Sequence, residues 1–426
     1  VTDPITQAEE LRIQLVRDLT EQGYLPDQHW RKAFEAVPRH VFVPGFYLRS
    51  EDQPTDPAGV PVWEPVTERT DPERWLSAAY SDQTLITQFD GQEPDWTNPE
   101  VRHGGVFSSS ATLPSLVATM WDDAQIADGH RVLEIGTGTG YSTAVLCERV
   151  GSDNVVSVDV DGDRLAQAHR ALSECGYTPS LVESDGLFGW RPGAPFDRVV
   201  AACSMRHIPQ TLLNQTRAGG KILATLSGWL GGNARVLLTV DEHGHGVGPL
   251  LAGTISFMSA RLHAPPRFGD PRQWARMVED APTRSAVLAP ERISGANLES
   301  FFPHFLAQCA VPHAQSVLLE ESTLLVDVTS GSVALVEPSK DDGWQVRQAG
   351  PVRLWDQIES ALESYNRAGR PAQESFRVRA DDTGQWVEHP EMPSFDLARS
   401  LGQRIATVRR PGARSEAGSP NGTRDD

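Results

Sequence analysis

The chain predicts an α/β fold built on a mostly parallel, doubly wound sheet, with helices before it and an α+β domain after it. Three observations carry that expectation. Short apolar runs alternate with helical periods from Arg131 to Leu226, the rhythm of βα units packed on both faces of a sheet. The first such run opens directly into a glycine-rich turn, Gly136-Thr137-Gly138-Thr139-Gly140. After about Pro265 the rhythm stops and paired strand-like runs take over.

At the start, Leu11, Leu15 and Leu19 recur at helical spacing and Gly23 stops that helix. Trp30 to Ala36 reads as a second helix, ended by Val37-Pro38 because the residue before proline avoids the helical region. Residues 50–75, rich in proline, acids and threonine, are expected to be an extended loop, and so is Asp90 to Gly105. Strands are predicted at Arg131-Ile135, Val155-Val158, Leu181-Glu183, Arg198-Ala201 and Lys221-Leu226. Helices run to Val150, to Cys175 and over Pro209-Gln215, and Leu237-Val240 and Ile255-Met258 are candidate antiparallel edge strands. In the C-terminal part, Ser316-Val328 and Ser332-Val336 are strand-like and joined by a turn at Thr329-Ser330-Gly331. Leu354 to Ala368 reads as an amphipathic helix, and Phe376 to Val387 as a hairpin around Asp382-Thr383-Gly384. The apolar stripe Leu354, Trp355, Ile358 and Leu362 either packs on the preceding domain, leaving the hairpin near Phe376 free, or fills the second domain's own core. The expected division is 1–106 for N-terminal helices and substrate-side loops, 107–265 for the ligand-binding core, 266–408 for the α+β domain and 409–426 for a disordered tail.

Bulk composition limits the function classes. With 426 residues, 39% of them apolar, the chain has material for two domains with sizeable cores. A formal charge of -19 argues against nucleic-acid binding, which wants a basic face. Cys147, Cys175, Cys203 and Cys309 are scattered without a CxxC pair, so neither a zinc site nor a disulfide framework is expected. With no apolar run near the ~18 residues that span a bilayer, and no signal-peptide pattern, a soluble cytosolic protein without membrane partners is the expectation.

The glycine turn sits where a backbone can approach a ligand at the carboxyl edge of a sheet. Asp159 closes the next strand, where an acid can accept hydrogen bonds from ribose hydroxyls, although nicotinamide cofactors use the same device. Two features choose between ligands. Tyr141 stands where a dinucleotide fingerprint wants a small residue, and would crowd a pyrophosphate. Asp185-Gly186 follows the third strand, where an acid can take the adenine amino group, though it can also simply cap a turn. Together with Glu134, these residues predict a methyl-sulfonium nucleoside as cofactor. The expected cofactor set is Glu134, Gly136, Thr137, Gly138, Gly140, Tyr141, Asp159, Asp185 and Gly186, with no metal. Glu134 either orients the glycine turn or contacts the cofactor's amino acid end.

Over roughly residues 30–230 the chain resembles the protein-L-isoaspartate (D-aspartate) O-methyltransferases. The resemblance rests on Val37-Pro38-Arg39-His40-Val41-Phe42-Val43-Pro44, on Ala79-Tyr80-Ser81-Asp82 and on Leu133 to Tyr141. Asp185-Gly186, Pro195-Phe196-Asp197-Arg198, Ile208-Pro209, Gln215 and Gly219-Gly220 follow in the family's order. It implies a Rossmann-like methyltransferase fold, S-adenosyl-L-methionine as cofactor with S-adenosyl-L-homocysteine as product, and a peptide or protein substrate bearing Asp or isoAsp. The family's Thr-Ile-Ser-x-Pro element, whose hydroxyls meet the substrate carboxylate, corresponds in position to Phe107-Ser108-Ser109-Ser110-Ala111-Thr112-Leu113-Pro114. Ser108, Ser109, Ser110 and Thr112 are therefore the catalytic candidates, against the alternative of an ordinary serine-rich loop.

The departures are a longer polar insert between Ile86 and Phe107 and the added C-terminal residues. These, with Gly350-Pro351-Val352-Arg353-Leu354-Trp355-Asp356 and Gly369-Arg370-Pro371, resemble a subgroup that acts on ribosomally made, modified peptides. That resemblance implies methylation of an aspartate side chain in a constrained peptide, the ester then closing to an aspartimide. Repair of isoaspartyl residues is the alternative, and a cofactor-binding module without turnover a further one. His207 is expected in an exposed loop, His40 in a structural role, and Trp121 and Trp229 in the core or along a pocket. Oligomeric state is not legible.

Overall fold

The computed structural model describes residues 4–340 and 342–397. The expected tail, 409–426, lies outside the described residues. The α/β expectation holds. Ten strands form the main sheet, beginning at the edge with Ser180–Glu183 and continuing through Val155–Asp159, Val132–Ile135, Phe196–Met205 and Thr216–Ser227. These five are parallel. Asn233–Val240 and Gly246–Pro249 continue the sheet antiparallel. From Val132–Ile135 the chain first moves outward in one direction and then, at Phe196, in the other. Such a switch point leaves a crevice beyond the carboxyl ends of the strands.

Local sequence explains the helices around it. Asp161 accepts from the Arg164 N–H and caps Gly162–Glu174. Asp27 caps Gln28–Ala36, whose Trp30, Ala33 and Phe34 repeat at helical spacing and are buried. Val132, Leu133, Glu134 and Ile135 are all buried, as a central parallel strand covered on both faces requires.

Several expectations fail, each where pairing is non-local. Residues 50–75 contain the strand Val62–Thr67 and the start of the helix Pro72–Ala79. The strand carries Pro65 and Glu64 and has little strand signal, but it buries Val62 and Val66 by pairing with Gly45–Arg49. The helix begins where Asp71 caps it and Pro72 sits in its first turn. The segment 1–106 is therefore more than helices and loops. It supplies four strands of a five-stranded antiparallel sheet, in the order Arg102–His103, Val62–Thr67, Gly45–Arg49, Leu85–Phe89 and Phe107–Ala111. A boundary at 106/107 would cut this sheet between its last two strands. The loop Asp90 to Gly105 is irregular apart from Arg102–His103.

Ile255-Met258 forms no strand. Its neighbourhood runs beside Ser204 instead, through Ser204 N–H to Met258 C=O (2.8 Å) and Ala260 N–H to Ser204 C=O (2.8 Å). The described part of the expected 266–408 domain does not separate from the main sheet either. Arg377–Ala380 pairs with Gly246–Pro249, and Gln385–His389 and Met392–Asp396 extend the sheet beyond it. Phe376 is fully buried, so the hairpin it opens is not free. Leu354, Trp355, Ile358 and Leu362 share one continuous core with Ile222 and Val236 of the main sheet. The antiparallel sheet of Thr283–Ala286, Trp344–Ala349, Ser332–Pro338, Ser322–Asp327 and Gln315–Leu319 is separate in its hydrogen bonding but joins the same core through Leu325, Ala334, Val336 and Val346. No described helix is long and apolar enough to cross a membrane.

Candidate active site

At the carboxyl edge of the parallel strands lies a cavity of about 160 Å3. Its floor is the glycine turn after Val132–Ile135. Gly140 has a left-handed backbone (φ 88°), and a Cβ there would stand 3.1 Å from Ala168 of the next helix, so only glycine lets the turn lie this close. Gly136, Thr137 and Gly138 face the cavity, whereas Gly140 packs against the helix behind it.

Glu134 does not line this space. It is fully buried beneath the turn, accepting from the hydroxyls of Ser142 (2.6 Å), Thr143 (2.5 Å) and Ser157 (2.7 Å). Burial raises its pKa, and the three hydroxyls oppose the rise. Ser157 also meets the Thr137 hydroxyl (2.7 Å), so Glu134 ties the turn, its helix and the neighbouring strand together. Of the two roles expected for it, the structure favours orienting the turn.

Asp159 and Asp185 line the cavity from adjacent strand ends. Asp159 accepts the Gly138 N–H (2.8 Å) and the Asp161 N–H (3.0 Å), one on each oxygen. Burial pushes its pKa up, against those two bonds. Asp185 accepts the Leu187 N–H (2.9 Å), so it caps a turn and faces the cavity at once. Gly186 lies beside it, pressed against Ile135 too closely for any Cβ. Tyr141 reaches the cavity, but its ring packs against Phe34 and Phe42 and is 3% exposed.

Another wall is made by Ser108 to Ala111 of the strand Phe107–Ala111, with Thr112. Its hydroxyls differ. Ser108 Oγ donates to Gln88 (2.7 Å) and accepts the Gly91 N–H (2.8 Å). Ser109 is buried and accepts from Thr87 (3.1 Å). Among the described residues, the hydroxyls of Ser110 and Thr112 make no hydrogen bond, and both line the cavity.

Sequence reasoning missed what holds that wall. Arg39 is fully buried and donates to five carbonyls: Ala79 (2.9 Å), Ser81 (3.1 Å), Gln83 (3.1 Å), Ala111 (3.4 Å) and Thr112 (3.1 Å). Burial lowers its pKa to about 10, which still leaves it charged at neutral pH. The motif around it was legible; the cross-chain clamp was not. Also missed were Phe257 to Arg261, which line the cavity mouth, and Asp161, which receives Arg261 (3.1 Å) and Gln88 (3.2 Å) there. Arg164, buried at the rim, is paired with Glu93.

The remaining candidates lie elsewhere. His207 is buried, 5% exposed, rather than in an exposed loop, because it packs against His263 with ring centroids 4.6 Å apart. His40 meets the Tyr80 hydroxyl (2.6 Å), in keeping with a structural role. Trp121 is core, and Trp229 lies under the Arg206 guanidinium, away from the cavity. Cys203 borders the cavity with its thiol pushed up to about 12 by burial, which leaves it inert as a nucleophile.

The lining fits a cationic nucleoside. Asp159, Asp161 and Asp185 present carboxylates, while the nearby cations Arg164 and Arg261 are each engaged by an acid. A pyrophosphate would meet repulsion here; hydroxyls, an amino group and a sulfonium would not.

Residues 73–245 match the family model described as protein-L-isoaspartate(D-aspartate) O-methyltransferase. The chain is 32% identical over 216 residues to a protein-L-isoaspartate O-methyltransferase of Methanosarcina mazei, covering 50% of this chain and 69% of that one. It is 31% identical over 253 residues to protein-L-isoaspartate O-methyltransferase 1 of Archaeoglobus fulgidus, covering 59% and 89%. A solved structure named protein-L-isoaspartate O-methyltransferase shares the fold over 89% of this chain and 99% of its own, with TM-score 0.50 and 20% identity. That overlap reaches past the family match into the C-terminal part. The chain belongs to the protein-L-isoaspartate O-methyltransferase family, whose members are S-adenosylmethionine-dependent carboxyl methyltransferases.

Proposed function

We propose that the protein methylates the free carboxylate of an isoaspartyl residue in a peptide or protein. One observation carries the reading: strand-end acids and free hydroxyls line a single cavity. Asp159 would hold the ribose and Asp185 the adenine amino group, with Gly136 and Gly138 giving the backbone room. S-adenosylmethionine, when bound, supplies an electrophilic methyl group and keeps the electron pair of the broken bond on sulfur. A carboxylate is ionised at neutral pH and needs no base. The protein's contribution is then to aim one oxygen and keep water out, effects worth up to about 7 to 11 kcal/mol. Ser110 and Thr112 suit that task, since hydroxyl donors orient a carboxylate without neutralising it.

A second reading, methylation of an aspartate in a constrained ribosomal peptide with later aspartimide closure, is favoured by the insert between Ile86 and Phe107. It builds an extra rim beside the hydroxyl wall. Labelled-methyl transfer to an isoaspartyl peptide, its aspartyl twin and a cyclic aspartyl peptide separates the two. Base-labile label on the isoaspartyl peptide alone is the expected result. Transfer only to the cyclic peptide, followed by loss of one water from its unmodified mass, would replace the first reading with the second.

A further inference from the structure

The sheet of the N-terminal region ends at Phe107–Ala111, which pairs with Leu85–Phe89 and, among the described residues, with no strand on its other side. This free edge runs into the cavity, because Ser108 to Thr112 line it. The Asp90 N–H donates to the Val106 C=O (2.7 Å), so the Val106 peptide groups face the partner strand. In a pleated strand the next residue's groups face the other way. Phe107 therefore turns its N–H and C=O toward the free side. Beside it the surface is apolar: Val106 is 73% and Phe107 40% exposed. Trp63 and Phe89 back the Phe107 ring at 5.2 and 5.3 Å. An unpaired edge with an apolar rim is the arrangement that takes an added strand.

We infer that the substrate docks as an extended peptide added to this edge, hydrogen-bonded to Phe107, with an apolar residue on Val106 and Phe107. The inference rests on the carboxylate-methylating reading, and it names how that substrate is held. Continuity selects the occupant, since the edge that would bind peptide backbone leads straight to the Ser110 and Thr112 hydroxyls. At ~3.3 Å per residue, the apolar residue sits about three positions from the acid, on one side of it. Selectivity then comes from the insert, while the glycine turn serves the cofactor.

The test uses the full chain and a capped synthetic peptide, Ala-Val-Phe-Ala-Gly-isoAsp-Gly-Ala, with backbone N-methylation scanned along the residues before the acid. An added strand exposes alternate N–H groups to the edge. N-methylation at those positions should raise KM about tenfold or more, and at the positions between should leave it nearly unchanged. Val106→Asp should raise KM for this peptide several-fold (about fivefold) while cofactor affinity stays as in the wild type. A scan without alternation, together with wild-type KM in Val106→Asp, overturns the docking mode but leaves the methylation reading standing. No transfer to the parent peptide removes the isoaspartyl reading and this inference with it.

Discussion

The two walls of the cavity are built in different ways. On the glycine side, each acid is set by bonds close to its own strand end: Gly138 to Asp159 and Leu187 to Asp185. On the hydroxyl side, the strand end at Ala111 and Thr112 is fixed by Arg39, 72 and 73 residues away in sequence. The first wall is part of the parallel sheet and forms with it. The second belongs to a separate antiparallel sheet, and one guanidinium ties the end of its last strand to the 79–83 segment. Cofactor binding and substrate orientation should therefore be separable by mutation.

The largest effect is expected at the fastening. Arg39→Ala leaves five carbonyls to find new partners in a buried space, and should lower stability by about 3 kcal/mol or more. Arg39→Lys should recover only part, because an ammonium has fewer donors and no planar fork. Denaturant unfolding reads the stability, and methyl transfer should fall with it. Wild-type stability in Arg39→Ala would erase the contrast between the walls.

Asp159→Ala sharpens the other side. Cofactor affinity should weaken by roughly 1 to 3 kcal/mol in calorimetry, with stability little changed. The pH dependence has a definite sign. Burial raises the Asp159 pKa, and the ionised form is the better acceptor for ribose hydroxyls. Affinity should thus fall as pH drops through that raised value, above the ~3.9 of an ordinary aspartate. Asp159→Asn should bind weakly and lose this dependence. The same pH profile in Asp159→Asn would assign the titration to neighbours such as Glu134 or Asp161.

The smallest effect separates the hydroxyls. Ser110→Ala and Thr112→Val should each lower kcat about tenfold with cofactor affinity intact, the scale of one lost hydrogen bond. Ser108→Ala should cost less, since its hydroxyl is already committed to Gln88 and Gly91. Equal losses at Ser108 and Ser110 would mean that the free hydroxyls hold no special place.

What could be read from the chain follows the same division. The strands from Val132 to Ser227, the glycine turn and both aspartates were legible because apolar period, turn chemistry and strand ends are local signals. The Val62–Thr67 strand was not, because Pro65 and Glu64 hide it and only pairing with Gly45–Arg49 makes it a strand. Nor was the burial of His207, which comes from a loop more than fifty residues later bringing His263 against it. Among the hydroxyl candidates, sequence supplied the segment but could not rank its members. The ranking depends on Gln88, Gly91 and Thr87, which sheet pairing brings across.

The pairing of Arg377–Ala380 with Gly246–Pro249 also bears on how the protein is made. More than a hundred residues separate these two strands in the chain. At a synthesis rate of about 5 to 20 residues per second, the nascent sheet waits on the order of ten seconds with Gly246–Pro249 as an open border. During that interval its neighbour Asn233–Val240, almost wholly buried in the finished molecule, lies one short strand from solvent. Ribosome-bound chains halted before Arg377 should therefore recruit chaperones or self-associate, and release of the closing hairpin should end that vulnerability.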